Sequence, residues 1–294
     1  MNMLIVGGTG FIGQHLTKTF IKEGYHVYIS TRTPNKYRST KNITYVNSHV
    51  AVRDLPKIDA VINLAGESLF GYWTENKKKR ILQSRIQSTK RIVQLMEQME
   101  HSPEVFINAS AIGYYGTSDE VIFTEATKQH GEDFLATVVR KWEDAAARAE
   151  SLDIRTVYTR FGIVLGEQGA LPLMSLPIKL RIGGKIGSGE QYMSWVHIDD
   201  VVGMLLFAIE DNLSGPINIT APIPEQNKYF IKKLAKILKR PAFFPAPNIL
   251  LKTILGEMSL LITDGQYVLP EKIQRAGYKF KFESLESALK NIFK

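Results

Sequence analysis

The chain has no cysteine among its 294 residues. It therefore forms no disulfide, has no thiol nucleophile and offers no thiolate ligand to a metal ion. Its six histidines are scattered, without the spacing of a ligand set, so we expect no metal site. A chain without cysteine suits the reducing environment of the cytoplasm, which is the location that we expect.

The sequence also lacks an uninterrupted apolar run that would span a bilayer. Its most apolar late stretch, residues 249–262, is interrupted by Lys252 and Glu257, whereas a spanning helix needs about 20 apolar residues. The apolar residues near the start have the pattern of a strand and not that of a cleavable leader. We therefore expect no membrane partner.

No region of the chain concentrates charge of one sign to an unusual degree. The net charge is +8, yet lysine and arginine are spread along the sequence except in the run 77–80. We interpret that run as the solvated face of a helix and expect no nucleic-acid partner. The length fits one α/β domain with an elaborated end, or two closely joined domains.

The most informative stretch is the beginning, MNMLIVGGTGFIG, in which an apolar strand at residues 3–6 leads into three spaced glycines. Gly7 would allow a tight turn, Gly10 would let the backbone approach a phosphate, and Gly13 would let the next helix pack on the strand. That helix would offer free N–H groups to an anion. The pattern predicts a dinucleotide site, and a glycine-rich turn without a ligand is the alternative. The expected cofactor contacts here are Gly7, Thr9, Gly10, Phe11, Ile12 and Gly13.

The end of the second strand, residues 26–30, indicates which dinucleotide is preferred. An NAD site usually has an acidic residue about 20 residues beyond the glycine turn, which binds the ribose hydroxyls and repels a 2′-phosphate. Here Thr31 and Arg32 stand in that place, and no acid follows until Asp54. Arg32 can offer a charge-assisted fork to a phosphate, so we expect NADP. The alternative is an exposed arginine in an ordinary loop.

Strands and helices alternate as far as Gly166, which predicts a Rossmann-type, doubly wound parallel sheet of the α/β class. Beyond Gly166 the alternation stops, and a glycine-rich loop precedes a mixture of shorter elements. We therefore divide the chain into an NADP-binding Rossmann domain, residues 1–166, and a smaller C-terminal α/β substrate-binding region, residues 167–294, packed on the first.

Small residues follow the fourth strand, at residues 60–64, and leave room for a ligand over the sheet edge. We expect Leu64, Ala65 and Gly66 to contact the cofactor. The next helix, residues 74–99, should bury Leu82, Ile86, Val93 and Met96. On the same helix Arg85 is either a surface residue or a contact to a phosphate or ribose.

The motifs GGTGFIG, NLAGE, ASAIGYYG and RFGIVLG resemble those of the extended short-chain dehydrogenase/reductase superfamily of NAD(P)-dependent epimerases and dehydratases. With GSGEQYMSWVHIDD and VLPEKIQRAGYKF they resemble its atypical "epimerase family protein" branch over nearly the whole chain. The resemblance implies an NADP-dependent oxidoreductase or epimerase with a small polar or sugar-like substrate. We expect a monomer or a homodimer.

The residues that usually carry the chemistry of this superfamily are missing. Its members typically use a tyrosine and a lysine one helical turn apart, with a nearby serine. Aligned on the motifs, the tyrosine position falls at Leu135, the lysine position at Val139 and the serine position at Ala111, and we expect Leu135 and Val139 to be packed. The remaining catalytic candidates are Tyr115, Tyr114 and Ser110. The alternative is a catalytically silent NADP-binding sensor or scaffold.

Three other polar residues near the expected crevice have structural explanations. Glu143 is interpreted as a charge on a helix face, and His197 as a satisfied core histidine. Asp199 is expected to cap a helix that runs to Glu210.

Overall fold

The computed structural model describes residues 1–294. The strands in chain order are β1 (Asn2–Val6), β2 (His26–Thr31), β3 (Ile43–Asn47), β4 (Ala60–Asn63), β5 (Val105–Ala111), β6 (Ile122–Phe123), β7 (Arg155–Phe161), β8 (Ile163–Leu165), β9 (Tyr192–Met193), β10 (Trp195–His197), β11 (Gly215–Ile219), β12 (Glu225–Gln226) and β13 (Tyr267–Val268). The helices are α1 (Phe11–Lys22), α2 (Glu75–Glu97), α3 (Phe134–Ala147), α4 (Ala170–Lys179), α5 (Ile198–Glu210), α6 (Asn227–Leu238), α7 (Asn248–Leu255), α8 (Leu260–Thr263), α9 (Glu271–Arg275) and α10 (Leu285–Ile292).

Seven strands form the central sheet in the order β3-β2-β1-β4-β5-β7-β11. Every neighbouring pair is parallel. The strand order reverses between β1 and β4, and in sheets of this kind a ligand crevice opens outside the carboxyl ends of the strands at that point. The predicted Rossmann-type α/β fold is confirmed.

Each face of the sheet is covered by helices and has its own apolar core. On one face Met3 and Ile5 of β1 pack with residues of α1 and α5 such as Phe20 and Met204. On the other face Leu4 packs with residues of α2 and α3. Because both faces are buried, the central strands β1 and β4 are apolar almost throughout instead of alternating.

The central sheet continues beyond residue 166. Its edge strand β11 comes from the second region and pairs with β7, so that Asn218 lies beside Arg160. A separate apolar core, with Trp195 and Phe230 at its centre, holds β10 and α6 together with α4 and α10. The division into a cofactor-binding and a substrate-binding region stays a prediction, but the sheet itself includes residues from both sides of Gly166.

The buried side of α2 matches the expected one only in part, because Val93 and Met96 are buried as predicted but two other expected residues are not. Ile81 and Thr89 are fully buried, whereas Leu82 and Ile86 are only half-buried. The difference arises because Thr89 is held inside by buried hydrogen bonds, which the apolar periodicity does not show. The run 77–80 was predicted to lie on a solvated face, and for Lys77 this is wrong. Lys77 is buried, and its ammonium lies 2.9 Å from Glu67 Oε1.

The cap of α5 also differs from the one expected. His197 Nδ1 accepts a hydrogen bond from the N–H of Asp199 at 3.0 Å, so His197 is the N-cap and the assignment to Asp199 is wrong. Asp200 is buried instead, and it accepts hydrogen bonds from the N–H groups of Lys281 and Phe282. No helix of this fold is both long and apolar enough to cross a bilayer.

Candidate functional site

In the turn between β1 and α1, close contacts with neighbouring backbone atoms require glycine at positions 7 and 13. Gly7 has φ +85°, and a Cβ there would lie 2.9 Å from the carbonyl carbon of Leu64. A Cβ on Gly13 would lie 2.5 Å from Gly8 Cα. These contacts are too close for any side chain, so Gly7 and Gly13 allow the turn to pack against β4 and α1 to pack against the turn.

Gly10 is less confined than Gly7 and Gly13, because a Cβ there would meet one atom and not several. A Cβ on Gly10 would meet only the carbonyl oxygen of Gly7, at 3.3 Å. Gly10 is also the N-cap of α1, where no side chain caps the helix and no acidic residue stands in the first turn. The free N–H groups and positive end of this helix therefore meet an open cradle, and this arrangement fits the pyrophosphate of a dinucleotide. Thr9, Phe11 and Ile12 flank the cradle and are half-buried.

The segment after β4 lies directly against this turn, and Arg85 supports it. Arg85 Nη1 donates hydrogen bonds to the carbonyl oxygens of Glu67 at 3.1 Å and Ile81 at 3.0 Å. Its guanidinium lies 5.0 Å from the centre of the Trp142 ring, and burial lowers its pKa to about 10. A Cβ on Gly66 would lie 3.0 Å from the Arg85 guanidinium carbon. Arg85 is therefore no ordinary surface residue, because it holds the segment of Leu64, Ala65 and Gly66 in place.

At the end of β2, Arg32 is exposed and has no hydrogen bond or ion pair within the protein. Its charge nevertheless acts on Glu67, whose pKa is lowered chiefly by Lys77 and further by Arg80 and Arg32. Thr31 is half-buried, and its hydroxyl accepts a hydrogen bond from the N–H of Thr33 at 3.4 Å. Arg32 is thus free to bind an anion beside the turn.

A buried hydrogen-bond network ties β4, β5, α2 and α3 together beneath the crevice. Asn63 Nδ2 donates to Asn108 Oδ1 at 2.7 Å and to the Thr89 hydroxyl at 2.9 Å. The same hydroxyl accepts from the Trp142 indole at 3.0 Å. Sequence reasoning missed these residues as a group, although Asn63 and Asn108 each follow a run of apolar strand residues. The network fixes the strand ends from which the crevice is built.

Three polar side chains lie side by side at the carboxyl ends of neighbouring strands. Arg160 of β7 is in register with Ser110 of β5 on one side and Asn218 of β11 on the other. From α3, Glu143 accepts two hydrogen bonds from Arg160, both at 2.9 Å, and one from the Ser110 hydroxyl at 2.5 Å. Burial opposes the charge on Arg160, but Glu143 outweighs this and holds the pKa of Arg160 above its usual value.

Tyr115 is buried and is hydrogen-bonded to two of these three side chains. Its hydroxyl donates to Asn218 Oδ1 at 2.8 Å and accepts from Arg160 Nη1 at 3.0 Å. Burial raises the pKa of the phenol, and Arg160 offsets this only in part. The burial arises because the Tyr115 ring is stacked on Phe123, with ring centres 5.2 Å apart.

Tyr114 is half-buried, and its ring lies edge-on beside that of Tyr115, with ring centres 5.5 Å apart, against the same arginine. The Arg160 guanidinium carbon is 3.5 Å from the centre of the Tyr114 ring, which is a cation–π contact. Arg160 therefore orients both tyrosines. Of the two, Tyr114 is the one whose hydroxyl has no partner within the protein.

The sequence matches the model of the NAD dependent epimerase/dehydratase family over residues 3–220 and that of a domain of unknown function, DUF1731, over residues 246–292. The chain belongs to the NAD dependent epimerase/dehydratase family. It is 46% identical to the epimerase family protein YfhF of Bacillus subtilis over 297 residues, which cover 99% of this chain and 98% of that one. It is 42% identical to an epimerase family protein of Staphylococcus epidermidis over 295 residues, with coverage of 99% and 98%.

Solved structures of relatives have the same fold. The human epimerase family protein SDR39U1, crystallised with NADPH, superposes with a TM-score of 0.88 at 32% identity, over 100% of this chain and 99% of that one. A nucleoside-diphosphate sugar epimerase from Corynebacterium glutamicum gives 0.81 at 28% identity, over 100% of this chain and 58% of that one. UDP-glucuronic acid 4-epimerase of Bacillus cereus, solved with UDP-glucuronic acid and NAD, gives 0.79 at 17% identity over 100% and 98%, a likeness of fold alone.

Leu135 and Val139, the two positions predicted to take the place of the superfamily's tyrosine and lysine, are apolar and packed. Val139 is buried in α3. Leu135 is half-buried and packs with the cluster around Trp73, and a Cβ on Gly113 would lie 3.6 Å from its Cβ. The place that a lysine would occupy is therefore filled. No group of three or more histidine, cysteine, aspartate or glutamate side chains is arranged to hold a metal ion.

Sequence reasoning missed that Arg160 and Glu143 meet inside the fold. Arg160 stands in the RFGIVLG motif, and Glu143 was interpreted as a charge on a helix face, yet the two form a buried ion pair with side-chain exposures of 5% and 12%. The available signal was the position of each residue. Arg160 lies in a strand whose inner residues are all buried, and Glu143 directly follows the buried Trp142 on its helix.

Proposed function

We propose that this protein binds NADP(H) at the β1–α1 turn and transfers a hydride between it and a small polar or sugar-like substrate. The cradle at Gly10, the uncapped start of α1 and the membership of the epimerase/dehydratase family support a nicotinamide dinucleotide. When bound, the cofactor supplies or accepts the hydride at its nicotinamide ring.

The observation that carries the choice of NADP is the end of β2. Arg32 is exposed and unpaired, no acid follows β2 until Asp54, and the neighbouring Glu67 is neutralised by Lys77. A 2′-phosphate would therefore meet a guanidinium that is in no ion pair, and the nearby Glu67 carboxylate is already paired with Lys77. The human relative, crystallised with NADPH, supports the same choice.

Calorimetric titration of NADP and NAD into wild type and Arg32→Ala tests this choice. Charge-assisted hydrogen bonds contribute about 1.5 to 3 kcal/mol each, so we expect NADP affinity to fall at least about tenfold while NAD affinity changes little. Arg38→Ala is the matched control, because Arg38 is an exposed arginine of the same loop. Equal losses for the two cofactors, or a wild-type preference for NAD, would contradict the proposal.

We further propose that Tyr114, and not Tyr115, is the proton donor or acceptor if the protein is catalytic. The Tyr115 hydroxyl is engaged by Asn218 and Arg160, whereas Tyr114 presents an unpartnered hydroxyl under the same cation. Once a substrate is found, Tyr114→Phe should abolish turnover with little change in cofactor affinity. Wild-type turnover in this variant would contradict the assignment.

A catalytically silent NADP-binding sensor or scaffold is the second candidate. The packing of Leu135 and Val139 favours it, because no lysine can stand beside a ribose there. The absorbance of NADPH with a panel of carbonyl compounds and nucleotide sugars separates the two candidates. Substrate-dependent oxidation supports the enzyme, and tight binding without turnover across the panel supports the sensor.

A further inference from the structure

Two segments of the C-terminal region leave large apolar side chains in solvent. They are residues 179–185, at the end of α4, and residues 239–252, which lead into α7, and together we call them the apolar-basic patch. None of the residues of α7 is buried, although its sequence NILLKTIL is mostly apolar. Phe243 and Ile249 are each 81% exposed. The large exposed apolar side chains of the patch are Leu180, Ile182, Phe243, Phe244, Ile249 and Leu250.

The two segments form one surface. The N–H of Phe244 donates to the carbonyl oxygen of Gly183 at 3.3 Å, and the N–H of Ala246 donates to that of Lys185 at 2.9 Å. The N–H of Gly187 in turn donates to the carbonyl oxygen of Ala246 at 2.9 Å. These bonds place the exposed side chains next to one another, and a contiguous exposed apolar surface marks an interaction site.

The charges within the patch all have one sign. Residues 179–185 and 239–252 contain no aspartate or glutamate. Their cations are all exposed and none lies in an ion pair. Glu190 is the next acidic residue after the first segment, and its carboxylate forms an ion pair with the Lys228 ammonium at 2.7 Å. The six cations are Lys179, Arg181, Lys185, Lys239, Arg240 and Lys252.

We propose that the apolar-basic patch is a docking surface for an anionic lipid membrane. Exposed phenylalanine and aliphatic side chains enter the boundary between headgroups and acyl chains, while the surrounding lysines and arginines remain with the anionic headgroups. The absence of a spanning segment, on which the expectation of no membrane partner rests, does not bear on such a surface contact. The proposal is independent of the cofactor and of catalysis.

A second copy of this chain is the competing occupant, and the charges argue against it. In a two-fold symmetric dimer the patch would face itself. The six cations of one copy would then stand opposite the same six of the other without a carboxylate between them. Like charges facing each other across an interface oppose association, whereas an anionic bilayer complements them.

Co-sedimentation of the full chain with vesicles tests the proposal, using phosphatidylcholine alone and phosphatidylcholine mixed with phosphatidylglycerol. We expect wild type to bind the anionic vesicles at least about tenfold more tightly, and to lose this binding as salt is raised from about 0.1 M to about 0.5 M. Each cation near an anionic surface contributes about fivefold, so Lys239→Glu/Arg240→Glu should weaken binding by at least about 30-fold. Phe243→Ser/Phe244→Ser should weaken it at least about tenfold.

The control is Lys90→Glu/Arg91→Glu, which makes the same charge change at two exposed residues of α2 outside the patch. We expect it to stay within about threefold of wild type, because only the net charge changes. Unchanged tryptophan fluorescence and melting temperature establish that the patch variants fold. Equal binding of wild type to both kinds of vesicle, or equal losses in the control and the patch variant, would overturn the proposal. A different pair of results would also overturn it. In that case the wild type does not bind anionic vesicles, and light scattering shows a dimer that Phe243→Ser/Phe244→Ser dissociates.

Discussion

The buried ion pair between Glu143 and Arg160 gives the sharpest prediction about how this site is held together. Glu143 accepts two hydrogen bonds from the Arg160 guanidinium and one from the Ser110 hydroxyl, and replacing Glu143 by leucine removes all three. It also leaves Arg160 charged and buried, since only 5% of its side chain is exposed. Breaking a buried pair by removing one partner costs about 3 to 5 kcal/mol. Of a total stability of about 5 to 15 kcal/mol, this is a large share.

Urea unfolding, followed by tryptophan fluorescence and by circular dichroism, measures this loss. We expect Glu143→Leu and Arg160→Leu each to lose about 3 to 5 kcal/mol, and the double variant to lose clearly less than the sum, because neither charge is then left unpaired. The exposed pair Glu271–Arg275 supplies the control, and Glu271→Leu should change the free energy of unfolding by less than about 1 kcal/mol. A Glu143→Leu variant within about 1 kcal/mol of wild type, or additive losses in the double variant, would refute the reasoning.

Three further predictions concern the cradle, a buried histidine and the missing catalytic pair. Gly10→Ala should lower the melting temperature far less than Gly13→Ala, because its Cβ would lie 3.3 Å from one carbonyl oxygen whereas that of Gly13→Ala would lie 2.5 Å from a neighbouring Cα, and Gly10→Ala should lose dinucleotide affinity at least about tenfold by calorimetry. Burial lowers the pKa of His197, so the unfolded chain takes up a proton below about pH 6.5 that the folded chain resists, and stability falls as pH falls, by up to about 1.4 kcal/mol per unit for this group. His197→Asn retains an N-cap and should show a smaller slope of unfolding free energy between about pH 7 and 5; an unchanged slope would contradict this. Leu135→Tyr/Val139→Lys should lower the melting temperature and give no NADPH oxidation, because the lysine would enter a filled interior; an active variant would show that the site lacks only this pair.

The sequence by itself determined the Rossmann-type fold, because its signals are local. The apolar run of β1, the glycines at 7, 10 and 13 and the alternation of strands and helices each depend on neighbouring residues, and the strand–turn–helix they predict is present. The geometry of Gly7 and Gly13 follows from the same spacing, since only glycine permits such close backbone approaches. The family could likewise be recognised from short motifs.

Only the tertiary structure decided which polar residues meet. Arg160 and Asn218 are far apart in the sequence and become neighbours because β7 and β11 pair in one register. Glu143 joins them from a helix, which turns an apparent surface charge into half of a buried ion pair. His197 caps α5 because its ring is held inside the core, although aspartate is the commoner cap in sequences. Such contacts depend on strand order and helix packing across long separations, which the periodicity of a single chain does not contain.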